Sequence, residues 1–218
     1  MQNEFWHQKW ESNQIGFNQQ QPNELLIQYF GTLNLKASDR VFVPLCGKSI
    51  DMLWLASQGK DVIGVELSSI ACDAFFSENN IRVKKTHLEN FIVYQGERIT
   101  ILCGDFFDLT HDLLGKVDAV FDRAALIALP PELQRRYATF ITRLLEPKTP
   151  MLLIVCTYNP NEMTGPPFSI DEDEIRALYG EHFNIKQLCN IPAVTIPEHL
   201  KIKGLTQASH QVYYLTFE

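Results

Sequence analysis

The stretch VFVPLCGKSIDMLWLA, residues 41–56, decides how the rest of the chain is read. A β-branched apolar run enters a tight turn containing Gly47, Lys48 and Ser49, and a helix with apolar periodicity follows. Strand–turn–helix entries of this kind receive triphosphates, dinucleotides and smaller nucleoside cofactors, so the spacing of the turn has to separate them. A Walker A loop needs a first glycine five positions before Gly47 so that successive backbone N–H groups wrap the phosphates. Phe42 stands there. A dinucleotide fingerprint needs three glycines for close approach of a pyrophosphate, whereas this turn holds one, flanked by Pro44, Leu45 and Cys46. S-adenosylmethionine carries no phosphate and asks only for a turn beside its methionine part and an acid for its ribose.

Working outward, Glu66 closes the next apolar run, VIGVEL, 19 positions after Gly47. A carboxylate there can accept from both ribose hydroxyls, although an isolated Glu at a strand end more often caps the next helix or is solvated. The segment CGDFFDL then places Asp105 and Phe106 after a further strand, where an adenine could meet a ring face and a carboxylate; alone, a Gly-Asp pair is more often a turn. Together the three segments favour a nucleoside methyl donor.

Helical and strand signals alternate through the chain. Strands are expected in RVFVPL, DVIGVEL, on either side of Gln95-Gly96, and in KVDAVFD, PMLLIVCTYN, FNIKQL and HQVYYLTF. Helices are expected in NELLIQYFGTL, in SIDMLWLASQG with Ser49 as N-cap, in SSIACDAFFSEN, and in PPELQRRYATFITRLL with Pro131 in its first turn. SIDEDEIRALYG offers a capping box of Ser169 and Glu172. This alternation implies a parallel-dominated sheet covered by helices on both faces, with an antiparallel final strand pair. Ligands of such sheets bind beyond the carboxyl ends of the strands, which selects residues 44–49, 66–69, 103–106, 122–126 and 157–168.

At 218 residues with 45% hydrophobic and 21% charged residues, the chain suits one domain with a sizeable core. Its formal charge of −7 disfavours general nucleic-acid binding. No apolar run reaches the roughly 18 residues that span a bilayer, and MQNEFWHQKW lacks the apolar core of a signal peptide. Five cysteines without a CxxC pair suggest neither a disulfide framework nor a zinc site, and the six histidines form no metal pattern, so no metal is expected. A cytoplasmic protein with reduced thiols is the expectation.

The blocks FWHQKWESNQIGFNQ, VFVPLCGKSIDMLWLA, VIGVELS, FDRAALIALP and GPPFSI resemble the signature segments of the thiopurine S-methyltransferases, the bacterial members in particular. The likeness runs from Phe5 to about Phe168. It implies a class I methyltransferase fold: a doubly wound, mostly parallel seven-stranded sheet with an antiparallel C-terminal pair and an N-terminal helical lid. A single domain over 1–218 is implied, with lid and helix in 1–35 and the sheet core in 36–218. The implied activity is S-adenosylmethionine-dependent S-methylation of aromatic and heterocyclic thiols. By matching position the cofactor contacts would be Trp10, Leu45, Gly47, Glu66 and Arg123, with Asp105 and Phe106 on the adenine side. Phe17 would lie near the substrate.

Methyl transfer to a thiolate needs alignment of sulfur, carbon and sulfur rather than a covalent nucleophile. Arg123, at the end of VDAVFD, is the candidate catalytic cation that would hold the acceptor as thiolate and also touch the cofactor; the alternative is a structural ion pair with the Asp122 region. Trp6 and Trp10, four apart, face one side of a short helix, either as core packing or as a lid. Two departures from the family pattern stand out. Gln8 occupies a position where some relatives place an acid, and TQASHQVYYLTF lacks an arginine before the last strand, leaving Lys203 or His210 as substitutes. Other acceptors (selenium or tellurium oxyanions, sulfide, halide) and a non-catalytic cofactor-binding module are the competing readings. The partner expected is a small-molecule thiol, and the protein a monomer, with no nucleic acid or membrane involved.

Overall fold

Arg40–Val43 forms the first strand, β1, and its last three residues are buried, as an apolar β-branched run in the middle of a sheet requires. The computed structural model describes residues 3–218, which divide into two compact units, 3–121 and 122–218.

In the first unit, helices α1 (Asn3–Glu11) and α2 (Glu24–Tyr29) precede β1. There follow α3 (Asp51–Ser57), β2 (Asp61–Glu66), α4 (Ser69–Glu78), β3 (Lys84–Leu88), β4 (Phe91–Gln95), β5 (Ile99–Cys103), α5 (His111–Leu114) and β6 (Ala119–Arg123), whose last two residues begin the second unit. The strand order is β3-β4-β5-β2-β1-β6. Pairings of β1 with β2, β1 with β6 and β2 with β5 are parallel, and β3-β4 and β4-β5 are antiparallel. Phe42, Phe75, Phe76 and Phe91 are among the fully buried rings, each contributing about 2 kcal/mol by leaving water.

The second unit contains α6 (Pro131–Thr142), β7 (Pro150–Thr157), α7 (Glu172–Tyr179), β8 (Phe183–Pro192), α8 (Glu198–Lys201) and β9 (Ser209–Phe217). Here β9 lies between β7 and β8, antiparallel to both, so the expected antiparallel closing pair is formed by β8 and β9.

Among the described residues nine strands form where seven were expected. One reason is β3: its sequence KKTHL is exposed at every residue, so it has no apolar alternation, and only its ladder with β4 makes it a strand. Local punctuation also shifts. Ile50, not Ser49, stands at the N-cap of α3, although the Ser49 hydroxyl still accepts from the Asp51 N–H at 3.3 Å. The capping box of α7 is Asp171 with Glu174, two residues beyond the expected pair. The hydroxyl of Ser169 is already used, accepting from the Tyr158 N–H at 2.9 Å and donating to the Tyr158 carbonyl at 2.8 Å. No helix among the described residues is long and apolar enough to cross a membrane.

Candidate active site

The turn after β1 is shaped by two left-handed residues, Leu45 (φ +45°) and Gly47 (φ +53°). For Leu45 that conformation costs about 1–2 kcal/mol, so the surroundings must hold it. Part of the hold comes from the Cys46 N–H, which donates to the Val65 carbonyl at 2.9 Å and prolongs the partnership with β2 past the end of β1. The Cys46 sulfur packs where a side chain on residue 64 would stand, 2.6 Å from an ideal β-carbon, so only glycine fits in β2 there.

Glu66 joins the two strand ends. Its Oε2 accepts from the Gly47 N–H at 2.9 Å and its Oε1 from the Ser68 N–H at 2.7 Å. Each carboxylate oxygen accepts up to two hydrogen bonds, and with the Leu67 N–H as a third backbone donor the carboxylate keeps room for a further one. Burial raises the Glu66 pKa from 4.5 to about 7, against the lowering effect of the backbone donors at Ser68 and Gly47. Lys48 turns away to the end of α4, where its Nζ meets both Glu78 oxygens at 2.7 and 2.9 Å. The lysine of the GKS triplet is thus committed to an ion pair.

Trp10 of helix α1 packs against the turn. The buried indole of Trp10 has its Cζ2 3.2 Å from the position of a β-carbon on Gly47. Phe17 meets Trp6 and Trp10 edge-on, with centroids 5.7 and 5.6 Å away, and stays partly exposed. Asn3, at the start of the same helix, donates from Nδ2 to Asp105 Oδ2 at 2.8 Å. The other oxygen of Asp105 caps the short 3-10 turn Phe106–Asp108 by accepting from the Phe107 N–H at 2.9 Å. Phe106 is buried, its ring parallel to that of Phe42 with centroids 6.5 Å apart.

The structure therefore brings Trp10, Leu45, Gly47 and Glu66 together, places Phe17 against Trp10, and ties Asp105 to α1. Arg123 belongs to the second unit, half-buried as the last residue of β6. Its neighbour Asp122 is fully buried and accepts from Tyr137 Oη at 2.7 Å and the Leu126 N–H at 3.3 Å. Burial lifts the Asp122 pKa from 3.8 to about 6. In the segment after β7, Tyr158 Oη donates to the Pro167 carbonyl at 2.6 Å and the Phe168 N–H to the Ile127 carbonyl at 2.7 Å. The Gly165–Pro166 and Pro166–Pro167 peptide bonds are cis. Of the two C-terminal candidates, Lys203 donates to the Pro166 carbonyl at 2.9 Å. His210 sits on β9 opposite Cys156 and Ile191, its pKa lowered by burial. Sequence reasoning missed Asn3, Gly64 and Tyr158; the first and third act through partners more than eight positions away, and Gly64 through a steric limit set by Cys46.

The thiopurine S-methyltransferase family model matches residues 1–218. The chain belongs to that family. Among its members, the thiopurine S-methyltransferase of Methylococcus capsulatus is 46% identical over 216 residues, 99% of this chain and 97% of that one. The Marinobacter nauticus protein of the same name is 43% identical over 216 residues, 99% of each chain. Among solved structures, a SAM-dependent methyltransferase from Anabaena variabilis superposes with a TM-score of 0.66 at 14% identity, covering 99% of this chain and 95% of that one. One from Methanosarcina mazei gives 0.64 at 15%, covering 89% and 97%. This family member is accordingly a methyltransferase of the S-adenosylmethionine-dependent fold.

Proposed function

We propose that this thiopurine S-methyltransferase family member methylates aromatic and heterocyclic thiols, thiopurines among them, at sulfur. The observation that carries the reading is Glu66, a buried carboxylate fixed by backbone N–H groups at Gly47, Ser68 and Leu67 with acceptor capacity left for a further donor. That acceptor suits a hydroxyl of a ribose. The bare α-carbon of Gly47 lets the Trp10 indole close over the turn. S-adenosylmethionine, when bound, supplies the methyl group from its sulfonium.

In this reading Trp10, Leu45, Gly47 and Glu66 hold the donor, with Asp105 and Phe106 on its adenine side. Helix α1 acts as a lid whose aromatic cluster excludes water, and Phe17 lies toward the acceptor. Arg123 supplies the cation that keeps the acceptor sulfur as thiolate and orients it. A monomeric, single-domain enzyme working in the cytoplasm on toxic thiols completes the assignment. The five unpaired cysteines agree with a reducing compartment.

The test is incubation with S-adenosylmethionine and 6-mercaptopurine, with S-adenosylhomocysteine and methylated purine quantified by mass spectrometry. Paired, enzyme-dependent products support the reading. Tight binding of the donor with no methylated thiol overturns it.

A further inference from the structure

Pro166 and Pro167 leave the chain with no backbone N–H over two consecutive residues, so only their carbonyls can anchor that stretch. Both are taken by side chains: the Pro167 carbonyl by Tyr158 Oη at 2.6 Å, the Pro166 carbonyl by Lys203 Nζ at 2.9 Å. Lys203 arrives from the connection between β8 and β9, and a second fastening lies three residues on. The Thr206 N–H and Oγ both donate to Glu162 Oε2, at 2.7 and 2.9 Å, and these bonds hold the Glu162 carboxyl below the usual range. Between the two fastenings, Gly204 (φ +103°) passes so near that a β-carbon would stand 2.7 Å from the Glu162 carbonyl oxygen.

These bonds are solvent-exposed, and exposed polar contacts add little to global stability. The same connection leaves Ile202 and Val194 largely in water but buries Leu200 and Leu205, so packing holds it at Leu205 while Lys203 and Thr206 reach across to the neighbouring segment. What the straps do is fix where the segment 162–168 runs. That segment follows β7, in one of the five places where a sheet of this kind receives its ligand.

We propose that Lys203–Pro166 and Thr206–Glu162 form a two-point latch that positions the 162–168 wall and so selects flat, ring-conjugated thiols over small aliphatic ones. Lys203 is here a positioning residue, acting through the Pro166 carbonyl. The inference rests on the thiol-methylating reading above. A fixed apolar wall of two prolines and Phe168 discriminates by shape: a rigid bicyclic acceptor meets it along a face, and a small flexible thiol does not depend on it.

The experiment compares Lys203→Met, Lys203→Arg and Thr206→Val with the unaltered enzyme. Lys203→Met and Thr206→Val should raise KM for 6-mercaptopurine roughly tenfold, with kcat and the KM for 2-mercaptoethanol held. Donor affinity by calorimetry and melting temperature should also hold. Lys203→Arg, which keeps a donor for the Pro166 carbonyl, should restore the KM. Hydrogen exchange in the peptide spanning 161–170 should be faster in Lys203→Met and Thr206→Val, and this readout needs no turnover. Unchanged exchange overturns the latch whatever the activity. Faster exchange with an unchanged KM in an active enzyme overturns its role in selection. If the unaltered enzyme binds the donor but methylates no thiol, the functional reading fails, and the selection claim with it.

Discussion

Trp10 occupies the space that a side chain at Gly47 would need: its Cζ2 lies 3.2 Å from where that β-carbon would stand, and the backbone there is left-handed. Helix α1 and the turn after β1 are therefore fitted to each other across 37 residues of sequence, and a change on one side is felt on the other. Gly47→Ala should cost about 1–2 kcal/mol from the conformation alone, and more while the indole is present. In a double-mutant cycle with Trp10→Ala, the alanine at 47 should be milder, and the difference, read by chemical denaturation, measures the contact. Strict additivity would show that the indole does not press on the turn.

Glu66 links pH to both stability and donor binding. Folding keeps its proton on between 4.5 and about 7, where the unfolded chain has released it. Its contribution to stability is thus full below pH 4.5 and is lost as the pH rises to about 7, a difference on the order of 3 kcal/mol. Glu66→Gln should remove that decline from the pH profile of unfolding. Ribose hydroxyls donate to the ionised form, so donor affinity should weaken about tenfold for each pH unit below 7. Calorimetry in two buffers of different ionisation heat should show the released proton. Affinity that is flat between pH 5.5 and 7 would remove Glu66 from the donor site.

Tyr137 stabilises a second buried carboxylate. Its Oη donates to Asp122 at 2.7 Å, and the Asp122 pKa nevertheless stands at about 6. Removing the hydroxyl with Tyr137→Phe should push that value higher and cost about 1–3 kcal/mol when Asp122 is ionised. The penalty should be larger at pH 7.5 than at pH 5, where Asp122 already holds its proton. Equal penalties at the two pH values would place the cost in packing instead.

Arg123→Ala distinguishes chemistry from architecture. A cation that stabilises the acceptor thiolate is worth roughly a hundredfold in turnover, and at the half-buried end of β6 its removal should move the melting temperature little. Acceptors with more acidic thiols should be less affected, since they ionise without help. Turnover equal to that of the unaltered enzyme would exclude the role.

Much of this was legible because it depends on short-range pattern. The 19-residue interval from Gly47 to Glu66 spans one turn, one helix and one strand, and parallel pairing of β1 with β2 brings its two ends within 2.9 Å. The apolar runs of β2 and β7 announce buried strands for the same reason. What was not legible depends on partners distant in sequence. The requirement for glycine at 64 exists only because the Cys46 sulfur fills the space beside it. The capping box of α7 slipped by two residues because the Ser169 hydroxyl serves the Tyr158 backbone. Asn3 gives no sign in the sequence that its amide would reach Asp105, 102 positions away.

The exposed strand β3 ends the strand order of the first unit and is partnered there by β4 alone. An open edge of this kind is a template on which further chains can polymerise. Lys84 is exposed on that edge and sets like charge against like wherever two such edges approach, while Lys85 is paired with Asp73 over the ring of Tyr94. The residues that hid β3 from a reading of hydrophobic pattern are thus the ones that keep the enzyme from growing into fibres.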